Sequence, residues 1–343
     1  MQAIELQTEK ILEDIIADFS ECGNSSTSSS KPTVFRTGFR RSDAIKLRTM
    51  QLIDELLIRN KRTTKRDLYY MDNKLFGKQS KSDTAIERLA TQLAVPRAEL
   101  NIYASPKGFA IGNISFKENG TETNARNSVF LINPMSDYTG TLTLQSSSKF
   151  ILIVEKDAIF QQLADEKFYE QQECILITGK GYPDIGTLAF VSKLAEEIPD
   201  LPVLILVDAD PFGIDILCQY AFGPKKRKER ASLCVPRAQW VGVLPSEIVS
   251  MTQQVNAQQS FNLPIAPAGI QNLTAKDKQK LHSLITSYSS SESIQEEWIT
   301  EMQCMSQSGI KAEIELISSL APQYLTQVYL PKKVHKLLST SEI

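Results

Sequence analysis

The sequence is poor in the residues on which many metal and nucleophile sites depend. It contains two histidines, His282 and His335, and five cysteines, none of which is spaced as CxxC. A histidine-based triad, a histidine-rich metal centre and a cysteine-bound zinc site are therefore not expected. Scattered cysteines in odd number also favour a reducing, intracellular setting.

Long apolar runs are missing as well. No stretch approaches the roughly 18–20 apolar residues that cross a bilayer, so no membrane role is expected. The first residues, MQAIELQTEKILEDII, have the pattern of an acidic amphipathic helix and lack the features of a secretory signal. The GxxxxGK[ST] pattern of an ATP-binding loop is also absent from the sequence.

The chain has no net positive charge, but its positive charges are concentrated in one region. The formal net charge is −2, whereas fifteen lysines and arginines face seven acids between Arg36 and Arg97, a local net charge of +8. The rest of the chain therefore carries −10, the difference between −2 and +8. Such polarity favours a surface for phosphates, although a solvated helical face gives the same excess.

The sequence divides into three segments of different composition and pattern. Residues 1–34 predict a helix and a disordered, Ser-rich tail. Residues 35–140 predict three helices followed by a β-hairpin, LNIYA and FAIGNISF around the turn SPKG, which is the element order of a winged helix. Residues 141–343 predict a buried parallel sheet, because the apolar runs KFILIVE, ECILITG, PVLILVD and QWVGVL alternate with helical patterns.

Three acids follow two of the predicted strands. Glu155 ends the first strand, and Asp208 and Asp210 end the third. All three should emerge at the same edge of the sheet, where parallel sheets bind their ligands. Carboxylates without histidine or cysteine are the ligands that Mg²⁺ prefers. Acids at strand ends also cap the following helix, and the pattern alone leaves both interpretations open.

A tyrosine pair lies in a short predicted helix of the basic region, KRDLYYM. A phenol is a poor nucleophile unless cations stabilise the phenolate. Arg66 precedes Tyr70 by one helical turn and could either stabilise it or hold a phosphate. Ordinary packing also accounts for a tyrosine pair in a helix.

Two further segments carry cations. The segment GKGYPDIGT either cradles a phosphate at a helix N-terminus or forms a plain βα turn. Residues 221–232, AFGPKKRKERAS, are compatible with a DNA backbone contact, a nuclear-import signal or a solvated loop. The candidate DNA-contacting side chains are Lys65, Lys180, Lys225, Lys226 and Arg227.

Several segments follow one another in the order and spacing of a known family: KRDLYYM, ILIVEKDAIFQQL, CILITGKGYPDIGT, VLILVDADPFGIDIL and SGIKAEIELI. From about residue 40 to residue 335 the chain resembles the A subunits of topoisomerase VI and, more closely, their eukaryotic homologues that make meiotic DNA double-strand breaks. The resemblance implies an α+β and α/β fold, in which an N-terminal winged-helix (CAP-like) domain precedes a Toprim domain with a central parallel sheet.

The same resemblance implies the site residues and the partners. Tyr70 falls on the nucleophile of the family, Arg66 on the motif arginine, and Glu155, Asp208 and Asp210 on the acids that hold Mg²⁺. The family's active site is composite, since the tyrosine of one protomer meets the metal of the other. A nuclear homodimer that cuts double-stranded DNA and leaves each 5′ end on a tyrosine is therefore implied, with a topoisomerase VI B-like partner and recombination accessory proteins.

The sequence departs from the family pattern at two places, neither of which changes the three acids or Tyr70. Phe212 stands where tyrosine is frequent, and Pro224 precedes a basic run where relatives have Gly-Ser and less charge. Three alternatives remain: the A subunit of an ATP-dependent type IIB topoisomerase, a catalytically silent DNA-binding scaffold, and a Toprim nuclease or primase that uses the metal half alone.

Overall fold

The computed structural model describes residues 40–95, 97–103, 105–118, 121–124, 126, 128–132, 143–145, 147–224, 233–258, 269–289 and 294–340. The predicted N-terminal helix, the Ser-rich tail and most of the basic loop lie outside the described residues. The chain divides into two compact units between Ser105 and Pro106. The expected domain limits, 1–34, 35–140 and 141–343, stay a prediction.

The first unit is mainly helical. Ile86 and Leu89 of its last long helix, and Leu93 directly after that helix, are buried as their spacing predicts. They share a core with Ile53 and Leu56 of the first helix. The predicted helical character of this region is confirmed. Its described elements are α1 (Arg41–Ile58), β1 (Thr63–Thr64), α2 (Lys65–Met71), α3 (Asn73–Phe76), α4 (Gln79–Gln92), a 3₁₀-helix (Arg97–Leu100) and β2 (Ile102–Tyr103).

The second unit alternates strands and helices over most of its length. Its described elements are β3 (Phe109–Gly112), β4 (Ser115–Glu118), β5 (Thr121–Asn124), β6 (Phe130–Leu131), β7 (Thr143–Gln145), β8 (Phe150–Val154), α5 (Asp157–Asp165), α6 (Phe168–Gln171), β9 (Cys174–Thr178), α7 (Ile185–Glu197), β10 (Val203–Leu206), α8 (Pro211–Phe222), β11 (Gln239–Gly242), α9 (Pro245–Gln258), β12 (Ile270–Asn272), α10 (Ala275–Tyr288), α11 (Glu296–Ser308), β13 (Ile310–Ala312), α12 (Glu315–Ser318), a π-helix (Leu325–Tyr329) and α13 (Leu330–Thr340).

A mostly parallel sheet forms the centre of the second unit. Its strand order is β11-β10-β8-β9-β3-β6, in which β11, β10, β8 and β9 run parallel and β3 and β6 are antiparallel to their neighbours. Every residue of β8, β9 and β10 is buried, as is typical of a sheet that is covered on both faces. The four apolar runs therefore form the predicted parallel sheet.

The strand register brings the ends of the central strands together. Val154 at the end of β8 lies opposite Thr178 of β9 and Leu206 of β10. The residues that follow these three strands consequently emerge at one edge of the sheet. This edge contains Glu155, and Asp208 follows two residues after β10.

The predicted β-hairpin of residues 100–116 is wrong. Ile102 and Tyr103 pair in parallel with Thr63 and Thr64, whereas β3 pairs antiparallel with β9 in the central sheet. Strand propensity and the turn SPKG are local signals, but the partner of each strand is distant in sequence. The close approach of β3 to β9 requires Gly112, where an added Cβ would lie 2.4 Å from the Cys174 carbonyl oxygen. The winged-helix assignment stays a prediction.

Two smaller sheets complete the second unit. Strands β5, β4 and β7 form an antiparallel sheet, and β12 pairs antiparallel with β13. A single bridge between Ala209 and Ala312 connects the end of β13 to the segment after β10. Among the described residues, no helix combines the length and apolar character needed to span a membrane.

The buried centre of the sheet predicts a steep dependence of stability on packing. Leu152 in the middle of β8 is 0% exposed, whereas Leu320 is 48% exposed. We expect Leu152→Ala to lower the free energy of unfolding by about 2–5 kcal/mol, because it leaves a cavity. Leu320→Ala, the matched control, should change it by less than about 0.5 kcal/mol. Chemical denaturation of both variants measures the difference, and equal losses would contradict the buried position of β8.

Candidate functional site

Tyr70 lies on α2, a short helix that is anchored at its start and in its middle. The Thr64 hydroxyl accepts a hydrogen bond from the Asp67 backbone N–H at 3.1 Å, which caps the helix. Leu68 is 0% exposed and fixes the helix to the core, while Tyr70 is 56% exposed. The helix therefore presents this phenol to solvent from a firmly packed base.

Arg66 and Tyr69 flank the Tyr70 ring. The Arg66 guanidinium carbon lies 5.9 Å from the centroid of the Tyr70 ring. The Tyr69 ring, whose centroid is 5.1 Å from that of Tyr70, also packs near Phe76 at 6.5 Å. The structure thus brings the predicted nucleophile and the predicted arginine together, and a guanidinium at this place can bind a phosphate that approaches the phenol.

Two of the candidate DNA-contacting lysines already have partners inside their own unit. Lys65 Nζ lies 2.7 Å from Glu87 Oε1. Lys180 Nζ lies 3.1 Å from Asp157 Oδ2 and 3.9 Å from the centroid of the Phe109 ring. Their contact with DNA stays a prediction. The other candidates, Lys225, Lys226 and Arg227, lie outside the described residues.

Glu155 and Asp208 lie side by side at the edge of the parallel sheet. The Asp208 backbone N–H donates to Glu155 Oε2 at 2.9 Å. Asp208 Oδ1 accepts the backbone N–H of Ile314 at 2.8 Å, and Asp208 Oδ2 lies 3.2 Å from Lys156 Nζ. The sheet thus brings together two of the three acids that the sequence singles out.

Asp210 has the role that the sequence left as the alternative. It is the N-cap of α8, where its Oδ1 accepts the backbone N–H of Phe212 at 2.9 Å and of Gly213 at 2.7 Å. Within the described part of the chain, no group of three or more histidines, cysteines, aspartates and glutamates is arranged to hold one metal ion. The contribution of Asp210 to a metal site stays a prediction.

Burial makes these acids costly to ionise. Burial and then the charge of Asp208 raise the pKa of Glu155 to about 8. Burial raises the pKa of Asp208 to about 6, although the Ile314 N–H and Lys156 act in the opposite direction. Burial also raises the pKa of Asp210. A divalent cation would relieve this cost, so the oxygen donors of Glu155 and Asp208 fit a hard ion such as Mg²⁺.

Gly213 allows the backbone to pack closely around Glu155, and Gly181 contacts Glu155 through a backbone hydrogen bond. A Cβ on Gly213 would lie 2.5 Å from the Asp208 carbonyl oxygen and 3.0 Å from Glu155 Oε2. The Gly181 backbone N–H donates to the Glu155 carbonyl oxygen at 2.8 Å. The segment GKGYPDIGT therefore forms a βα turn that packs on the backbone of Glu155, and its contact with a phosphate stays a prediction.

Sequence reasoning missed a cluster beside these acids. Lys156 Nζ lies 2.7 Å from Glu313 Oε2 and 2.6 Å from Glu315 Oε2. Glu313 follows β13, and Glu315 is the first residue of α12. Both glutamates are visible in the sequence, but no local signal places them beside Asp208.

Two family models match this chain. The Toprim domain model of the topoisomerase 6 A-subunit/Spo11 family matches residues 150–334, which include the parallel sheet and the three acids. The model described as "Type IIB DNA topoisomerase" matches residues 43–102, which include α2 and Tyr70. The predicted Toprim region and the predicted family are confirmed.

The chain is also similar to curated proteins over most of its length. It is 37% identical over 295 residues to "Meiotic recombination protein SPO11" of Mus musculus, which covers 85% of this chain and 70% of that protein. The protein of the same name from Homo sapiens is 38% identical, with 84% and 70% covered. The DNA topoisomerase 6 A-subunit of Arabidopsis thaliana is 35% identical, with 86% and 66% covered.

The raised pKa of Glu155 predicts that the stability of the metal-free protein depends on pH. The folded chain holds the Glu155 proton up to about pH 8, whereas the ordinary pKa of a glutamate, 4.5, applies after unfolding. The folded state therefore binds more protons between these values. The resulting stability is fully present below the lower pKa and is lost as the pH rises through the higher one. We expect the melting temperature in EDTA to fall from about pH 4.5 to about pH 8 and to level off above that value.

Matched glutamate variants isolate the contribution of this carboxyl group. Glu155→Gln cannot lose a proton, so its melting temperature should fall less steeply than that of the wild type. Glu173, whose side chain is 55% exposed, precedes β9 at the opposite edge of the sheet, and Glu173→Gln should follow the wild-type curve. A Glu155→Gln curve parallel to that of the wild type would contradict the raised pKa of Glu155.

Proposed function

The chain belongs to the family of topoisomerase 6 A-subunits and Spo11 proteins, and from this premise we propose that it is a DNA transesterase that makes double-strand breaks through a 5′-phosphotyrosyl intermediate. The observation that carries the proposal is the exposed phenol of Tyr70 beside the Arg66 guanidinium, on a helix within the segment that matches the type IIB topoisomerase model. Tyr70 is the proposed nucleophile, and double-stranded DNA is the proposed substrate.

The proposed step exchanges one phosphodiester bond for another. The Tyr70 phenolic oxygen attacks a backbone phosphorus in line, forms a P–O bond and loses its proton. The bond from that phosphorus to the 3′ oxygen breaks, and the 3′ oxygen takes up a proton. Because no water is consumed, the phosphotyrosyl bond conserves the energy of the phosphodiester, and the step can run in reverse.

Arg66 has a positioning role in this step. Its guanidinium lies at the Tyr70 ring and can bind the oxygens of the scissile phosphate bidentately. The phosphate is then held near the phenol before reaction, and orientation of this kind lowers a barrier substantially.

The carboxylates supply the second half of the proposed site. Glu155 and Asp208 would hold a divalent cation, for which Mg²⁺ is the proposed ion, and Asp210 is the proposed third acid. When bound, such an ion neutralises charge that develops on the phosphoryl oxygens. The hydrogen bond between Glu155 and the Asp208 backbone keeps the two acids adjacent.

A homodimer with composite sites is proposed as the cleaving form. Each site would combine Tyr70 of one protomer with the acids of the other, so that two sites cut the two strands. The proposed location is the nucleus, on meiotic chromosomes, with a topoisomerase VI B-like partner and recombination accessory proteins. The similarity to two proteins named for meiotic recombination supports this role.

A second candidate role keeps the chemistry but changes its purpose. The similarity to the DNA topoisomerase 6 protein of Arabidopsis thaliana favours the A subunit of a strand-passing enzyme. Strand passage needs nucleotide hydrolysis, and this sequence has no GxxxxGK[ST] loop, so a separate ATPase chain is proposed for this role. Relaxation of supercoiled DNA, assayed with and without such a chain, distinguishes the two roles.

The phenol of Tyr70 is expected to be essential for covalent attachment. Tyr70→Phe should abolish the transfer of labelled DNA to protein in the presence of Mg²⁺ and the partner proteins, since it removes the oxygen that bonds to phosphorus. Tyr69→Phe removes the neighbouring hydroxyl and is the matched control, for which adducts should persist. Adducts in Tyr70→Phe would rule out this nucleophile. Metal-dependent cleavage without adducts in that variant would favour a nuclease, and no cleavage by the wild type would favour a scaffold.

Mixed dimers test the composite site. Tyr70→Phe and Glu155→Gln are each expected to be inactive alone. A dimer of one with the other would contain one site with both Tyr70 and Glu155 intact, and one site with neither. Co-expression with two different tags and sequential purification should give a dimer that nicks one strand. A mixed dimer as inactive as its parents would contradict sharing of the site between protomers.

A further inference from the structure

The Lys156 ammonium lies among three carboxylates at the edge of the parallel sheet. It is 3.2 Å from Asp208 Oδ2, 2.7 Å from Glu313 Oε2 and 2.6 Å from Glu315 Oε2. The Asp208 side chain is only 8% exposed, whereas those of Glu313 and Glu315 are 57% and 47% exposed. One cation therefore connects a buried acid to two acids on the surface.

The backbone fixes this arrangement on the acid side. The Ala312 N–H donates to the Ala209 carbonyl oxygen at 3.1 Å, and the Ile314 N–H donates to Asp208 Oδ1 at 2.8 Å. Ile314 is 0% exposed, so its side chain anchors the segment that contains Glu313 and Glu315. The backbone of the two glutamates is consequently held by contacts that do not involve Lys156.

A lysine in this place competes with a metal ion for Asp208. An ammonium that contacts a carboxylate repels a divalent cation at the same oxygens, so a metal ion binds Asp208 most strongly after the ammonium has withdrawn. Withdrawal would leave the partly buried Lys156 ammonium without a carboxylate partner unless other acids contacted it. Glu313 and Glu315 already contact the Lys156 ammonium more closely than Asp208 does.

We propose that Lys156 is the internal counter-ion of Asp208 in the metal-free protein, and that Glu313 and Glu315 form the anchor onto which its ammonium withdraws when a divalent cation binds. This inference rests on the proposed function, because that function places a metal ion at Glu155 and Asp208. Lys156, Glu313 and Glu315 are positioning residues that set the affinity of the site for its ion.

A thermodynamic cycle of metal binding tests the inference without measuring catalysis. The probe is Mn²⁺, titrated into the full chain without DNA and followed by the electron paramagnetic resonance signal of the free ion. Lys156→Gln should tighten Mn²⁺ binding by about tenfold, which is the effect of one unit charge about 6 Å from a divalent ion in a water-like dielectric. The double change Glu313→Gln and Glu315→Gln should weaken binding.

The decisive quantity is the coupling between the lysine and the two glutamates. If the glutamates hold the ammonium away from Asp208, their removal should weaken Mn²⁺ binding more in the wild type than in Lys156→Gln. Equal fold-losses in the two backgrounds would mean that the groups act independently and would overturn the inference. Weaker binding by Lys156→Gln would overturn it as well.

A second lysine of the same unit provides a matched control. Lys193 Nζ lies 3.3 Å from Glu196 Oε2 and 2.8 Å from Glu197 Oε1, near the end of α7 that is remote from Glu155 in the βα unit. Lys193→Gln and the double change Glu196→Gln and Glu197→Gln should leave Mn²⁺ binding unchanged. If these controls shift it as strongly as the changes at Lys156, bulk charge accounts for the effect and the inference fails.

Two further variants separate the possible failures. Lys156→Arg keeps the charge and can be measured even if Lys156→Gln does not fold. It should bind Mn²⁺ within about threefold of the wild type. If it binds Mn²⁺ about tenfold more tightly, as expected for Lys156→Gln, the inference is overturned. Glu155→Gln tests the site itself. If it leaves Mn²⁺ binding unchanged, the metal part of the proposed function fails together with the inference. If it weakens binding but the cycle shows no coupling, the inference fails alone.

Discussion

The hydrogen bond from the Asp208 backbone N–H to Glu155 Oε2 is the contact on which the acidic half of the site depends. It forms because β8 and β10 are neighbours in one parallel sheet and end in register, with Val154 opposite Leu206. A slip of one residue would turn each side chain to the other face of the sheet and would separate Glu155 from the Asp208 backbone N–H. The register of the sheet and the placement of the acids are therefore one constraint.

The same constraint explains why these two acids are costly to ionise. Glu155 and Asp208 are packed where water is scarce, and burial raises the pKa of both carboxyl groups. Two partners of Asp208 reduce this cost in the metal-free protein, namely the Ile314 N–H and the Lys156 ammonium. These partners come from a segment more than a hundred residues away and from the residue after Glu155. The C-terminal part of the second unit thus completes the charge balance at the sheet edge.

Much of the second unit could be predicted from the sequence, because its signals are repeated and strong. Four apolar runs between helical patterns predict a parallel sheet, and acids after its strands predict a polar edge. The sequence could not predict that β3 joins this sheet, since its pairing with β9 depends on contacts far apart in the chain. Nor could it decide whether Asp210 caps a helix or holds a metal, because both roles place an acid directly before α8. The cluster at Lys156 was missed for the same reason as the pairing of β3.

The two halves of the proposed chemistry belong to units that stabilise them by separate means. The phenol of Tyr70 is exposed on α2, which is capped by Thr64 and anchored in a small helical core by Leu68. The acids depend instead on the register of the sheet and on Ile314. A change in one half can therefore leave the structure of the other half intact. It also means that stability and cleavage should respond differently to mutation, since removal of the exposed Tyr70 hydroxyl disturbs no core.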